Sequence, residues 1–158
     1  MDLTADEIAG VVDLFGALPP ATLREALAEL AFKNGEDVDP DTVGDPVAEA
    51  LDSYHLLEIG TETPLVAVGP AAFPTLPDHA TDLPHILDAN ERSIDPDRLA
   101  RAAERRFRRD AAAAIDAGDR ERVQTLLDVS YELEAWGPVD LAETRDRLDD
   151  ALEGMGRT

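Results

Sequence analysis

Along the first third of the chain the apolar positions Ile8, Val11, Val12, Phe15 and Leu18 recur every three or four residues, the spacing that lines one face of an α-helix. Thr4-Ala-Asp-Glu7 stands ahead of them as a capping box, in which a threonine hydroxyl and a glutamate satisfy two free N–H groups reciprocally. Pro19-Pro20 stops the run. Leu23, Leu27, Leu30 and Ala31 predict a second helix, closed near Asn34-Gly35, where a left-handed residue is cheap. Asp39-Pro40 and Asp45-Pro46 each join a capping aspartate to a proline suited to a first helical turn. The second of these opens a third helix through Val47, Ala50, Leu51 and Tyr54. The period then changes. His55–Ile59 and Leu65–Val68 are short β-type runs separated by a five-residue loop, Gly60–Pro64, and predict a hairpin. Three helices followed by a hairpin is the order of a winged helix-turn-helix, a match of topology alone over roughly residues 4–69.

Residues 69–97 hold five prolines, at 70, 74, 77, 84 and 96, which argue against regular structure and for an ordered connector. Phe73, Leu76, Leu83, Ile86 and Leu87 are apolar enough to pin it to a surface. Three more helical patterns follow. One runs from Arg98 through Ile115 to Gly118. The next runs from Asp119 through Val123, Leu126, Leu127, Tyr131 and Leu133 to Trp136, and the last starts at Asp140 and uses Leu141, Leu148 and Leu152. The predicted fold class is α+β, mostly α. A winged-helix-like unit of three helices and a β-hairpin covers residues 1–73, a proline-rich connector 74–96, and a three-helix C-terminal unit 97–158, packed on the first.

Composition narrows the setting. A chain of 158 residues holds one domain or two small ones. Without cysteine there are no disulfides, thiolate metal sites or thiol catalysis. No run of eighteen apolar residues occurs, so no membrane span is expected. The start, MDLTADEIAG, is acidic where a signal peptide is basic, which predicts a cytoplasmic protein. Acids number 35 against 14 basic residues, for a net charge of −21, and Lys33 is the single lysine. Few aromatics in an acidic chain can mean disorder, but apolar residues at 44% in helical periods mean a folded chain. Adaptation to high salt accounts for both features. At molar salt the Debye length is about 3 Å, so a dense carboxylate surface repels itself little, and arginine holds its pairs where lysine does not.

Against this background RLARAAERRFRRD, residues 98–110, stands out with six arginines. On a helical wheel Arg98, Arg101, Arg105, Arg108 and Arg109 fall within about 100°, with Arg106 to one side and Leu99, Ala103, Phe107 and Ala114 opposite. Three readings compete: a basic face that is merely solvated, a grip on nucleic acid, and a face that meets carboxylates of residues 1–90 or of a partner chain. Residues 1–90 carry 18 acids against Arg24 and Lys33, which repel a polyanion. Five phosphate contacts give a salt slope of about −4.5, so a rise from ~0.15 M to ~2 M salt weakens such binding roughly 10⁵-fold. The helix that would read DNA, DPVAEALDSY, carries Asp45, Glu49 and Asp52 rather than the cations and amides a reader needs. Pairing with acidic protein surface is therefore the reading preferred. The expected partner is an unidentified protein or a second copy of the chain, with neither nucleic acid nor membrane.

Little else points to chemistry. His79, Asp82 and His85, with Asp78 and Asp88 nearby, are ligand types for zinc, nickel or manganese, but their spacing fits no ligand pattern. No metal and no cofactor is expected. Ser53 and His55 lack a nucleophile elbow, and residues two apart on a helix do not face each other. No Gly-x-Gly-x-x-Gly or P-loop is present. Tyr131 and Trp136 are the one aromatic gathering, either core anchors of the last two helices or a partner hot spot. The function expected is non-enzymatic protein interaction or regulation. A nucleic-acid-associated regulator using the arginine helix is the alternative, and a small metal-dependent enzyme using His79 and His85 comes third.

Four stretches, MDLTADEIAGVVDLFGAL, SYHLL, DLPHILD and DVSYELEAWGPVDL, resemble a family of small acidic proteins of halophilic archaea, and the likeness extends over most of the chain. That family is functionally uncharacterised. The resemblance implies a salt-rich setting and a single evolutionary unit, and it brings no activity, ligand or catalytic residue.

Overall fold

In the computed structural model, which describes residues 3–36, 44–60, 62–87 and 94–155, the first helix (α1, Ala5–Phe15) starts at its predicted cap. The Glu7 N–H donates to Thr4 Oγ1 and the Thr4 N–H to Glu7 Oε1, both at 3.1 Å. Its end differs from expectation. The pattern carries the helix to Leu18, but the chain leaves it at Gly16, whose φ of 77° lies in the left-handed region. Ala17–Leu18 then forms a strand, β1. Leu18 precedes a proline and is pushed toward extended backbone, and two residues are too few for any periodicity to show.

Pro20 occupies the first turn of α2 (Pro20–Lys33), where its missing N–H costs nothing. The helix closes in a Schellman arrangement, with Glu36 N–H on the Ala31 carbonyl and Gly35 N–H on that of Phe32. Asp39-Pro40 lies outside the described residues. After α3 (Gly44–Asp52) come the predicted strands, β2 (Leu56–Ile59) and β3 (Leu65–Val68). They pair antiparallel from Leu56 opposite Val68 to Ile59 opposite Leu65. β1 adds to the other side of β3, Ala17 opposite Ala67, giving the order β1-β3-β2. The α1-β1-α2-α3-β2-β3 succession with this sheet order is that of a winged helix-turn-helix. Its core gathers Ile8, Val12, Phe15, Leu23, Leu30, Leu56 and Val66, all at most 1% exposed.

The chain divides into two compact units, Met1–Ile94 and Asp95–Thr158. In the first, the proline-rich segment is not wholly irregular. A 3-10 turn at Ala80–Asp82 runs into a short helix, α4 (Leu83–Leu87), and Pro84 is tolerated because it sits in the first turn. Phe73 and Leu76 do not pin this segment, being 79% and 53% exposed. Leu83, fully buried in the core, and Leu87, packed against it, pin the segment as expected, and backbone adds to them: Phe73 N–H donates to Asp6 Oδ1 at 2.9 Å and Thr75 N–H to the Asp6 carbonyl at 3.1 Å. The approach is close enough that a Cβ on Gly10 would lie 1.9 Å from the Thr75 oxygen.

The second unit is three helices, α5 (Pro96–Ala117), α6 (Arg120–Trp136) and α7 (Ala142–Met155). Asp95 and Asp119 cap the first two with side-chain oxygens. Its core is built on small residues: Ala100, Ala103, Ala111 and Ala114 are buried along α5 beside Phe107, and Val123, Leu126, Leu133, Leu141 and Leu148 complete it. Among the described residues no helix is long and apolar enough to cross a membrane.

Candidate functional site

Helix α5 separates its apolar and basic residues sharply. Buried positions 100, 103, 107, 111 and 114 step by three and four and form its back, while Arg98, Arg101, Arg105, Arg108 and Arg109 are exposed on the other side. Amphipathic spacing alone produces this, because the alanines and Phe107 orient the helix and the arginines take what is left.

Among the described residues of its own unit, this helix pairs with itself and with α6. Arg108 Nη2 donates to Glu104 one turn earlier at 2.6 Å. On the flank, the Asp110 carboxylate meets Arg106 at 3.4 Å and Arg122 of α6 at 3.6 Å, tying two helices through one acid. Among the described residues of this unit Arg98, Arg101, Arg105 and Arg109 have no carboxylate partner. What remains is an array of planar forked donors, the geometry that takes carboxylate or phosphate bidentately.

Tyr131 is not a core anchor, being 59% exposed. Its ring lies under the Arg145 guanidinium, 4.1 Å from ring centroid to Cζ. Arg145 also pairs with Glu134 and donates from Nε to Ser130 Oγ at 3.0 Å, and Ser130 is fully buried and in turn donates to the Leu127 carbonyl. Glu134 accepts the Leu141 N–H at 3.2 Å, fastening the start of α7. The Arg145 hydrogen bond, with that backbone donor, holds the Glu134 carboxyl below its ordinary pKa. Trp136 is half-buried. The aromatic pair was legible in the sequence, but the polar clamp of Ser130, Glu134 and Arg145 was not, since its members are four, eleven and fifteen residues apart and share no pattern.

In the first unit, Ser53 and His55 do come together, contrary to the helical argument. α3 ends at Asp52, and Tyr54 takes φ 64°, so the turn folds the imidazole back: Ser53 Oγ and His55 Nδ1 are 2.7 Å apart. His55 Nε2 lies 3.6 Å from Asp6 Oδ1. Serine, imidazole and carboxylate in that order make a nucleophile's outline, and the Ala50 carbonyl, 3.2 Å from Ser53 Oγ, is a second acceptor for the hydroxyl. The set ties the turn after α3 to the first turn of α1.

His79 and His85 are exposed, and Asp82 pairs with Lys33 Nζ at 3.5 Å. Among the described residues no three histidine, aspartate or glutamate side chains gather to hold a metal ion; Asp88 lies outside them. Glu49 of α3 is exposed and acidic, as is Glu62 in the loop of the hairpin.

A family model described as a family of unknown function, DUF7109, matches residues 6–153. No curated protein and no solved structure gives a significant match.

Proposed function

We propose, for a chain that belongs to the DUF7109 family of unknown function, a non-enzymatic interaction or regulatory role in which the arginine face of α5 docks on the carboxylates of a protein partner. The carrying observation is that Arg98, Arg101, Arg105 and Arg109 stand exposed on one side of a single helix, without carboxylate partners among the described residues of their unit. A row of guanidinium groups with no carboxylate partner from its own unit among the described residues, in a chain of net charge −21, supports this reading. Acids at 35 against 14 bases, with one lysine, favour a salt-rich cytoplasm as the setting. There an isolated exposed pair contributes about 0–1 kcal/mol or less, so only a face of several arginines, desolvated together, gives a lasting complex.

The winged-helix order of the first unit favours a second reading, a nucleic-acid-associated regulator. The acids of α3 and of the hairpin loop weigh against it, because a DNA reader places cations and amides there. Pull-down from extract in multimolar potassium chloride separates the two. One protein partner, lost in Arg101→Glu/Arg105→Glu, supports docking. RNA or DNA retained at that salt and lost in the same variant overturns it in favour of the second reading.

A further inference from the structure

Helices α5 and α7 leave a cleft of about 150 Å³ between them, lined by Arg108, Ala112 and Ile115 of α5 and Glu143, Thr144 and Arg147 of α7. Positions 108, 112 and 115 share one stripe of α5, so the cleft opens at the C-terminal end of the arginine face and Arg108 belongs to both. Alanine at 112 leaves space that a longer side chain would occupy, and Ile115 supplies an apolar wall. Arg108 and Arg147 each pair with a glutamate one turn earlier, at 2.6 Å and 3.1 Å, and are 59% and 70% exposed. Such exposed pairs hold weakly, and a guanidinium has five N–H donors, enough for a second acceptor. The Thr144 hydroxyl makes no hydrogen bond among the described residues.

The geometry points to a socket: this cleft takes the carboxylate of one aspartate or glutamate side chain from an acidic segment of a partner protein, between Arg108 and Arg147, with Thr144 donating to it. The inference rests on the docking reading and deepens it by placing the anchor. Size fits, because a space of about 150 Å³ accommodates a benzene ring, comparable with one short side chain. The apolar wall suits the methylenes of such a side chain.

The test uses the full chain, capped hexaglutamate as probe, and potassium chloride at which circular dichroism shows the helices intact. Titration is expected to shift the Ile115 methyl and Thr144 amide resonances. Ala112→Leu, which fills the cleft and leaves every arginine in place, is expected to weaken binding by about tenfold or more. Thr144→Val, which removes only the hydroxyl, weakens it less and serves as the second variant should Ala112→Leu disturb the helices. Binding by Ala112→Leu and Thr144→Val equal to that of the parent overturns the socket. If Arg98→Gln/Arg101→Gln/Arg105→Gln/Arg109→Gln then loses binding, the arginine face stands without it. Inorganic phosphate shifting the same resonances at lower concentration than the peptide overturns the assignment to carboxylate. A parent chain that binds no peptide overturns the docking reading, and the socket with it.

Discussion

The two units of the chain hold charge differently. Met1–Ile94 carries 19 acids against 3 basic residues, whereas Asp95–Thr158 carries 16 against 11. The first is stabilised in spite of its charge, by large aliphatic and aromatic side chains fully withdrawn from water, Tyr54, Phe15, Ile8 and Leu56 among them. The second has a leaner core of alanines around Phe107 and binds its helices together with acids and guanidinium groups: Asp110 between α5 and α6, Glu134 and Arg145 between α6 and α7. In the first unit the polar contacts join stretches far apart in sequence, Asp6 with His55 and Phe73 and Lys33 with Asp82. Where side chains are small, shared carboxylates help fix which helix lies beside which.

Truncating the core tests this contrast most severely. Phe15→Ala and Phe107→Ala, both at fully buried positions, are each expected to cost about 3–5 kcal/mol. Hydrogen exchange then shows whether protection falls only in the unit that was cut; uniform loss in both would erase the distinction between them. Gly10→Ala follows. Helix propensity alone favours alanine by about 1 kcal/mol, but its Cβ would meet the Thr75 carbonyl. A backbone atom cannot step aside cheaply, and the net expectation is a loss of about 1–3 kcal/mol in urea unfolding.

Arg145→Met removes the donor that Ser130 Oγ and Glu134 share and is expected to destabilise the second unit by about 1–3 kcal/mol. The pH dependence carries the same information. Glu134 has its pKa lowered in the folded protein, chiefly by Arg145. Its contribution is therefore complete above the ordinary glutamate value and fades as pH falls through the lowered one. Between about pH 6 and 3, Glu134→Gln should show a flatter stability profile than the parent, and parallel profiles would refute the clamp. The smallest effect belongs to the arginine face of α5. Replacing Arg98, Arg101, Arg105 and Arg109 by glutamine is expected to change stability by less than about 0.5 kcal/mol per site, since none pairs with a carboxylate among the described residues of their unit.

Long periodic runs were readable from sequence. α2, α5 and α6, the hairpin and the two-sided character of α5 all follow from spacing and caps, because one buried stripe repeated over several turns leaves little freedom. Features fixed by a single dihedral were not. Gly16 at φ 77° replaces the end of a helix with a strand, and Tyr54 at φ 64° brings Ser53 to His55. A tyrosine in the left-handed region has no sequence signature, since its cost is met by full burial of the ring. Exposure of Phe73, Leu76 and Tyr131 escaped prediction because hydrophobic type tells what a side chain prefers, not where the backbone leaves it: the Phe73–Thr75 backbone lies against α1, and Tyr131 stacks under Arg145. The arginine face was visible as a face, while which of its members keep carboxylate company depended on acids placed one turn away or on another helix.

Asp6 gives the first unit a common latch. Its carboxylate receives the Phe73 amide and faces His55, while its carbonyl receives the Thr75 amide. Fraying of a single turn at the beginning of α1 therefore unfastens a stretch nearly seventy residues downstream. The exchange rates of those two amides are thus a gauge of how often the amino-terminal turn lets go, readable without any label or ligand.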